Sequence, residues 1–320
     1  MKFYETHFDE YVNKSENDNL HPELESVHAK LPNTINQLSN LIFYGPSGVG
    51  KYTQMLKFIK KYSACDLKYE KKICVNFNKT VYFLKISDIH YEIDMSLLGC
   101  NSKLLWHDIY LQIIDIISAK PNKIGIIVCK NFHEIHSELL EIFYSYMQLD
   151  RSNKIVIKFI IITQEVSFIP DTILNSCKII NVCRPSKKLY NDCLHVSVSK
   201  AKIGNISNIK NIHLTDTDKD TIDYKIICNK IIALINDYHS IQFMNFRDIL
   251  YDIFIYNFNI TECVWYIMTS LIQHNPLKKE QITEMLIKTY CFFKYYNNNY
   301  RPIYHLENYL LTIIKIIYKL

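Results

Sequence analysis

Three of the six glycines in this 320-residue chain, Gly45, Gly48 and Gly50, fall within one short run. That run is Gly45, Pro46, Ser47, Gly48, Val49, Gly50 and Lys51, and it has the G-x-x-x-x-G-K spacing of a phosphate-binding loop. It follows an apolar stretch, Leu41-Ile-Phe-Tyr44, that reads as a buried strand. It precedes residues 53–62, where Met55, Leu56, Phe58 and Ile59 recur at helical spacing. In that context glycines let successive backbone N–H groups curl toward phosphate oxygens. The helix N-terminus adds positive partial charge, and the lysine reaches the β- and γ-phosphates. The expected chemistry is the binding of a nucleotide, ATP or ADP.

The residue after the lysine departs from that chemistry. A Ser or Thr there holds Mg²⁺ in P-loop enzymes, and here it is Tyr52. A phenol is too long and rigid to put its oxygen where a β-hydroxyl would sit. Thr53 is rotated about 100° further round the helix. Hydrolysis also needs a carboxylate at the end of a neighbouring buried strand. The strand expected at residues 123–129 runs instead into Lys130, Asn131, Phe132 and His133. Asp88, after a strand at 81–86, and Glu134 are the alternative acidic residues. The spacing therefore predicts bound nucleotide without efficient hydrolysis, and an ordinary Mg²⁺ site is not expected.

The elements that would position these residues alternate. Strands are expected at 41–44, 81–86, 123–129, 155–163 and 178–182, with helices at 53–62, 102–118 and 138–147, which argues for a parallel α/β sheet flanked by helices. Residues 1–30 read as an irregular polar arm. From about residue 225 the periodicity is helical almost to the end. The expected domains are therefore 1–185, an α/β P-loop domain with its arm; 186–240, a short helical lid; and 241–320, an all-α domain. Hydrophobic residues make up 48% and charged residues 22%, enough to fill a core and exclusive of extensive disorder. No apolar run reaches the roughly 18 residues of a membrane helix, which predicts an intracellular protein without membrane contact. The ten cysteines include no C-x-x-C pair, so neither zinc nor a disulfide framework is expected. His90, His133 and His136 lack a third ligand at convincing spacing.

With these residues in place, the chain resembles the small subunits of replication factor C, the AAA+ clamp loaders, over roughly residues 38–320. Residues 41–53 are similar to the subunit whose loop reads G-P-S-G-x-G-K-K-T and which does not hydrolyse ATP. Residues 90–101 look like that subunit's Y-H-L-E-V-N-P-S-D-A-G-N. Phe246-Arg-Asp-Ile-Leu-Tyr-Asp252 and Ile303-Tyr-His-Leu-Glu307 look like R-E-I-L-Y-D and I-Y-H-L-E of its collar domain. The resemblance implies an AAA+ P-loop domain, a lid and an oligomerising collar. It also implies a hetero-oligomeric ring with other clamp-loader subunits, a sliding clamp and primer–template DNA as partners, and a role in DNA replication.

Under that resemblance, Lys130 to His133 stand in place of the acidic D-E-x-D box and Gln164 in place of the sensor asparagine. Ser176 stands in place of the arginine finger of S-R-C, and Lys210 near the lid's sensor arginine. A serine cannot supply the charge that a guanidinium brings to a γ-phosphate. DNA phosphates would meet helix starts at Asn101, Ser102, Lys103 and Ser137. The implied function is a non-hydrolysing structural subunit that binds nucleotide and helps place a clamp on DNA. The alternatives are an independent P-loop ATPase or nucleotide kinase using Asp88 or Glu134, and an AAA+-derived scaffold that no longer loads clamps. Degenerate motifs with Ile-, Asn-, Lys- and Tyr-heavy usage point to a large DNA virus as source, acting in the nucleus or at a cytoplasmic replication site.

Overall fold

The computed structural model describes residues 7–77, 80–99, 101–148, 155–194, 223–256, 258–296 and 302–319. The described residues up to 194 form one compact unit and those from 223 onward another. The first carries, in order, α1 (Phe8–Asn17), α2 (Glu25–Ala29), β1 (Asn40–Tyr44), α3 (Lys51–Lys60), β2 (Lys71–Phe77), β3 (Thr80–Ile86), β4 (His90–Asp94), α4 (Ser102–Ser118), β5 (Ile124–Lys130), α5 (Ser137–Gln148), β6 (Val156–Thr163), α6 (Asp171–Asn175), β7 (Cys177–Asn181) and α7 (Lys187–Leu194).

The seven strands make one sheet in the order β2-β3-β4-β5-β6-β1-β7. Every pairing from β4 to β7 is parallel, whereas β2 with β3 and β3 with β4 are antiparallel. The sheet is thus mainly parallel and flanked by helices, as the sequence predicts, with an antiparallel β2–β3–β4 edge added. Two strands had no apolar run to announce them. In β2 only Val75 is buried, as suits an edge strand. In β4, His-Tyr-Glu-Ile-Asp, the charged positions that would ordinarily face water are inside, with His90 0% and Glu92 3% exposed.

Both faces of the parallel strands are covered, which is why they read as continuous apolar runs. Alternate side chains go to opposite layers. Tyr91, Ile93, Ile127, Cys129 and Ile161 pack with Trp106, Ile109, Ile113 and Ile117 of α4 and Phe143 of α5. Leu41, Phe43, Ile126, Val128, Ile160 and Ile162 pack with Met55, Leu56, Phe58 and Ile59 of α3. Phe8 and Val12 of α1 join this second layer, 0% and 1% exposed. Residues 8–17 are therefore helical, not the irregular arm predicted. Their apolar side chains are few, but Phe8, Tyr11 and Val12 lie at i, i+3, i+4.

The second unit is five helices around one core: α8 (Asp223–Asn236), α9 (Phe243–Ile255), α10 (Ile260–His274), α11 (Lys279–Tyr295) and α12 (Pro302–Tyr318). Phe292 lies in this core against Tyr309, with ring centroids 4.7 Å apart. The Arg247 guanidinium forks onto the Glu307 carboxylate, Nη2 to Oε2 at 2.8 Å and Nε to Oε1. It is flanked by the Phe243 and Tyr304 rings. The two short stretches 246–252 and 303–307 are thus joined by a bidentate, charge-assisted pair. Residues 195–222, which hold most of the expected lid and Lys210, lie outside the described residues.

The topology gathers the loop and the strand ends on one edge. Because β1, β4, β5 and β6 are parallel, Asp94 and Lys130, which end their strands, and Gly45 and Gln164, which follow theirs, lie on the same side, where open α/β sheets bind ligands. Gly45 is indispensable to this edge. It has φ +155°, and a Cβ there would lie 2.2 Å from the Val182 carbonyl oxygen, in the stretch where Val182 N donates to Tyr44 O at 2.8 Å. Gly45→Ala should therefore part β1 from β7 and cost about 1–3 kcal/mol in urea unfolding. Gly99 has φ +63° with nothing within 4 Å of its Cβ position, so Gly99→Ala should cost only about 1 kcal/mol of backbone strain. Equal losses in the two variants would contradict the close-approach account.

Candidate functional site

Residues 45–50 form the turn between β1 and α3. Gly48 has φ 72° and Gly50 φ 90°, conformations open to glycine at little cost. Val49 anchors the turn from below at 1% exposure, while Pro46 and Ser47 are exposed. The Lys51 ammonium lies across the turn, donating to Gly45 O at 2.6 Å and Pro46 O at 2.7 Å. Burial pulls its pKa down to about 8, with Arg184 adding repulsion. The lysine is thus poised over the loop, where an anion's charge would relieve its desolvation. His21, 1% exposed, braces the loop: its Nε2 lies 2.6 Å from Val49 O. A carbonyl can only accept, so that nitrogen carries the proton. No spacing rule links His21 to the loop, and the sequence did not reveal it.

Behind Lys51, the structure shows what replaces the metal-binding hydroxyl. Tyr52 turns inward and donates its hydroxyl to Glu92 Oε1 at 2.7 Å. The Lys130 ammonium reaches Glu92 Oε2 at 3.3 Å and stands 5.4 Å from the centre of the Tyr52 ring. His90 Nε2 lies 3.4 Å from Glu92 Oε1. Tyr11 of α1 closes over Tyr52 edge-on at 5.1 Å. Burial alone would raise the Glu92 pKa, but the Lys130 charge and the hydrogen bonds from His90 and Tyr52 outweigh it and bring the carboxyl down to about 2. Burial likewise opposes charge on Lys130, yet Glu92 and Asp94 hold its pKa above the ordinary value. Both groups are ionised at neutral pH. Asn131 donates Nδ2 to both Asp94 oxygens at 3.0 and 3.1 Å.

The degenerate box at Lys130–Asn131 is therefore not free of carboxylates. Glu92 and Asp94 come from β4, paired in register with Val128 and Lys130. Glu92 is paired with the Lys130 cation, Asp94 accepts from the Asn131 amide, and the hydroxyl next to Lys51 is spent on Glu92. This donor set does not fit a divalent ion, whose oxygen ligands it already occupies. Among the described residues no group of three or more His, Cys, Asp or Glu side chains is placed to hold a metal.

The other singled-out residues separate by edge. Gln164 is exposed just past Thr163, which pairs with Tyr44, so it adjoins the loop. Thr53 is half-buried in the first turn of α3. Phe132 is fully buried in the core, and His133 sits on the turn beyond it. Ser176 precedes β7, whose Cys177 pairs with Asn40. It thus lies at the opposite edge, roughly 15 Å from the chain's own loop at about 3.3 Å per strand residue. Asp88 follows the antiparallel β3, also at that far edge, where it accepts from Ser63 Oγ and Ala64 N. Asn101, Lys103 and Ser137 are exposed at the starts of α4 and α5, whereas Ser102 is buried at 1% exposure. Lys210 lies outside the described residues.

The chain matches no protein-family model and no curated protein. Solved structures similar to it include C. elegans PCH-2, 10% identical with TM-score 0.37, covering 96% of this chain and 72% of that one. A DNA polymerase III gamma-subunit-related protein from Thermotoga maritima is 10% identical with TM-score 0.33, over 91% and 98% of the two chains. A mutant of Thermotoga maritima RuvB is 12% identical with TM-score 0.35, over 97% and 91%. At such values the reading of the site rests on this chain's own residues.

Lys130→Met strands the Glu92 carboxylate without its counter-charge. Removing one partner of a buried pair costs about 3–5 kcal/mol. Lys130 is 29% exposed, so about 2–3 kcal/mol is expected at pH 7 in urea unfolding. Glu92→Gln with Lys130→Met should recover most of that loss. A folded pKa of about 2, below the ordinary carboxyl value, means that the Glu92 contribution is complete above about pH 4.5. It is lost as pH falls toward 2, so the double variant should lose stability less steeply over that range. A double variant no more stable than Lys130→Met would show the two residues to be uncoupled.

Proposed function

We propose that this chain is a non-hydrolysing AAA+ subunit of a replication-factor-C-like clamp loader, which binds ATP or ADP through residues 45–53 and contributes its helical region to a hetero-oligomeric ring. The observation that carries the absence of turnover is the Tyr52–Glu92–Lys130 cluster. A metal-activated transfer needs a hydroxyl and a carboxylate free to hold the ion, and here each holds the other. Retention of nucleotide is supported by the glycine conformations of the loop and by Lys51 held across it.

Membership of a ring is supported by the likeness of residues 246–252 and 303–307 to collar sequences. The Arg247–Glu307 fork gives that likeness a physical role, since each stretch supplies one partner. In this reading residues 1–185 are the AAA+ domain, 186–240 the lid and 241–320 the collar, with the lid's last helix, α8, packed into the collar's core. Ser176, at the edge away from its own loop, would face a neighbour's nucleotide and bring no guanidinium to it. The starts of α4 and α5, with Asn101, Lys103 and Ser137 exposed at the loop-bearing edge, would contact primer–template DNA through its phosphates. No described helix is long and apolar enough to cross a membrane, and the proposed setting is an intracellular replication site, nuclear or viral.

The purified chain should show no ATP turnover above background. Affinity purification from its native setting should recover other clamp-loader subunits and a sliding clamp. A monodisperse monomer that hydrolyses ATP alone would overturn the reading in favour of an independent P-loop enzyme. Recovery of ring subunits without a clamp would favour a scaffold. Nucleotide should raise the melting temperature of the wild type and leave Lys51→Ala unmoved. Because the free Lys51 pKa is about 8, affinity should be level below that pH. Above it, affinity should fall by about tenfold per pH unit, until the raised pKa of the complex is reached. Lys51→Arg should abolish that dependence, and a pH-independent wild type would remove Lys51 from the site.

A further inference from the structure

A P-loop ordinarily meets a nucleotide carrying Mg²⁺, because the clustered phosphate charge needs a cation that bridges the β- and γ-oxygens. Here the residue that would offer such an ion a hydroxyl is engaged by the protein itself. Tyr52, the residue after Lys51, is committed to Glu92 at 2.7 Å. On the same side of Glu92, at the C-terminal end of β5, stands Lys130, 3.3 Å from Oε2 and 5.4 Å from the Tyr52 ring centre. Glu92 is 3% exposed and fixed on the strand by its neighbours, while the Lys130 side chain remains 29% exposed. The carboxylate is thus a buried anchor. The Lys130 side chain is partly accessible at the edge that carries the loop, and Lys51, donating to Gly45 O and Pro46 O, is a second cation on that edge.

We infer that the Lys130 ammonium, held by Glu92 beside Tyr52, is the site's built-in counter-cation, so that the loop takes the polyphosphate of a nucleotide free of divalent metal. This rests on the nucleotide-binding reading above and adds to it the form of the ligand. A fixed ammonium and a bound divalent ion compete for the same phosphate charge. By linkage, a site that prefers the metal-free nucleotide also weakens the hold of that nucleotide on the metal. Lys130 acts here as a binding residue, and Glu92 and Tyr52 position it.

The test is calorimetric titration of the full chain with ATP and with ADP, in excess EDTA and in millimolar MgCl₂. The expected result is that ATP binds at least as tightly in EDTA as in Mg²⁺. ATP bound to the protein should hold Mn²⁺, followed by its EPR signal, more weakly than free ATP does. Glu92→Gln with Lys130→Met removes the cation without leaving a buried carboxylate unpaired, which keeps the variant folded. It should lose tenfold or more in affinity for ATP in EDTA, and Lys130→Arg should retain wild-type affinity. Binding that requires Mg²⁺ would overturn the inference and leave the nucleotide reading standing. So would a folded double variant that binds ATP in EDTA as the wild type does. No binding in either buffer would overturn the nucleotide reading, and this inference with it.

Discussion

A carboxylate on an interior strand is tolerated only where its charge is answered, and Glu92 sets that condition for the edge of the sheet that carries the loop. An isolated ion there would cost several kcal/mol. The structure meets that cost from three elements at once: Tyr52 from α3, Lys130 from the end of β5 and His90 from its own strand. Each of these elements leads into or out of the loop-bearing edge. One buried charge therefore ties the first turn of the loop's helix to β4 and β5, the third and second strands away from β1. It also gives Tyr11 of α1 a ring to close on, which extends the anchoring to the N-terminal helix.

The same interaction decides the chemistry open to the site. Phosphate binding by a glycine turn, a lysine and a helix N-terminus needs backbone geometry above all, and that geometry is present. Metal-assisted transfer needs oxygen ligands that are not already bonded, and those are occupied. In the function proposed above, the loop and the cluster behind it separate two functions that active nucleotide hydrolases combine. Binding is supported by the local fold, and turnover is opposed by a packed ion pair. The helical unit follows a similar economy. Arg247 and Glu307 are distant in sequence and both nearly buried, so each is tolerable only with the other, and together they hold α9 against α12.

Much of this was legible in the residues. The apolar runs of β1, β5 and β6 announced a sheet covered on both faces, since only doubly buried strands lack alternation. The glycine cluster announced the loop, because positive φ values and a backbone approach as close as that of Gly45 to Val182 admit no side chain. Four of the five helices of the second core followed from 3.6-residue periodicity, whereas the helix at 223–236, expected in the lid, joins that core. Other features gave no such signal. β4 was unreadable because its inward face is polar, and α1 because so few of its residues are apolar. The antiparallel β2–β3 hairpin was missed because its outer strand is exposed.

The sequence by itself determined the glycine-rich turn, the phenol after its lysine and the lack of a carboxylate at the end of β5, because each is a matter of residue type at a fixed local spacing. Only the tertiary structure decided what became of them. Residues 40 to 80 positions from Tyr52, on β4 and β5, are brought to it by strand pairing that local spacing does not encode. There the absent acidic residue of one strand is supplied by its neighbour and at once neutralised. Whether a buried charge is a ligand, a base or half of an ion pair depends on what lies within about 4 Å of it, and that distance is a property of the folded chain.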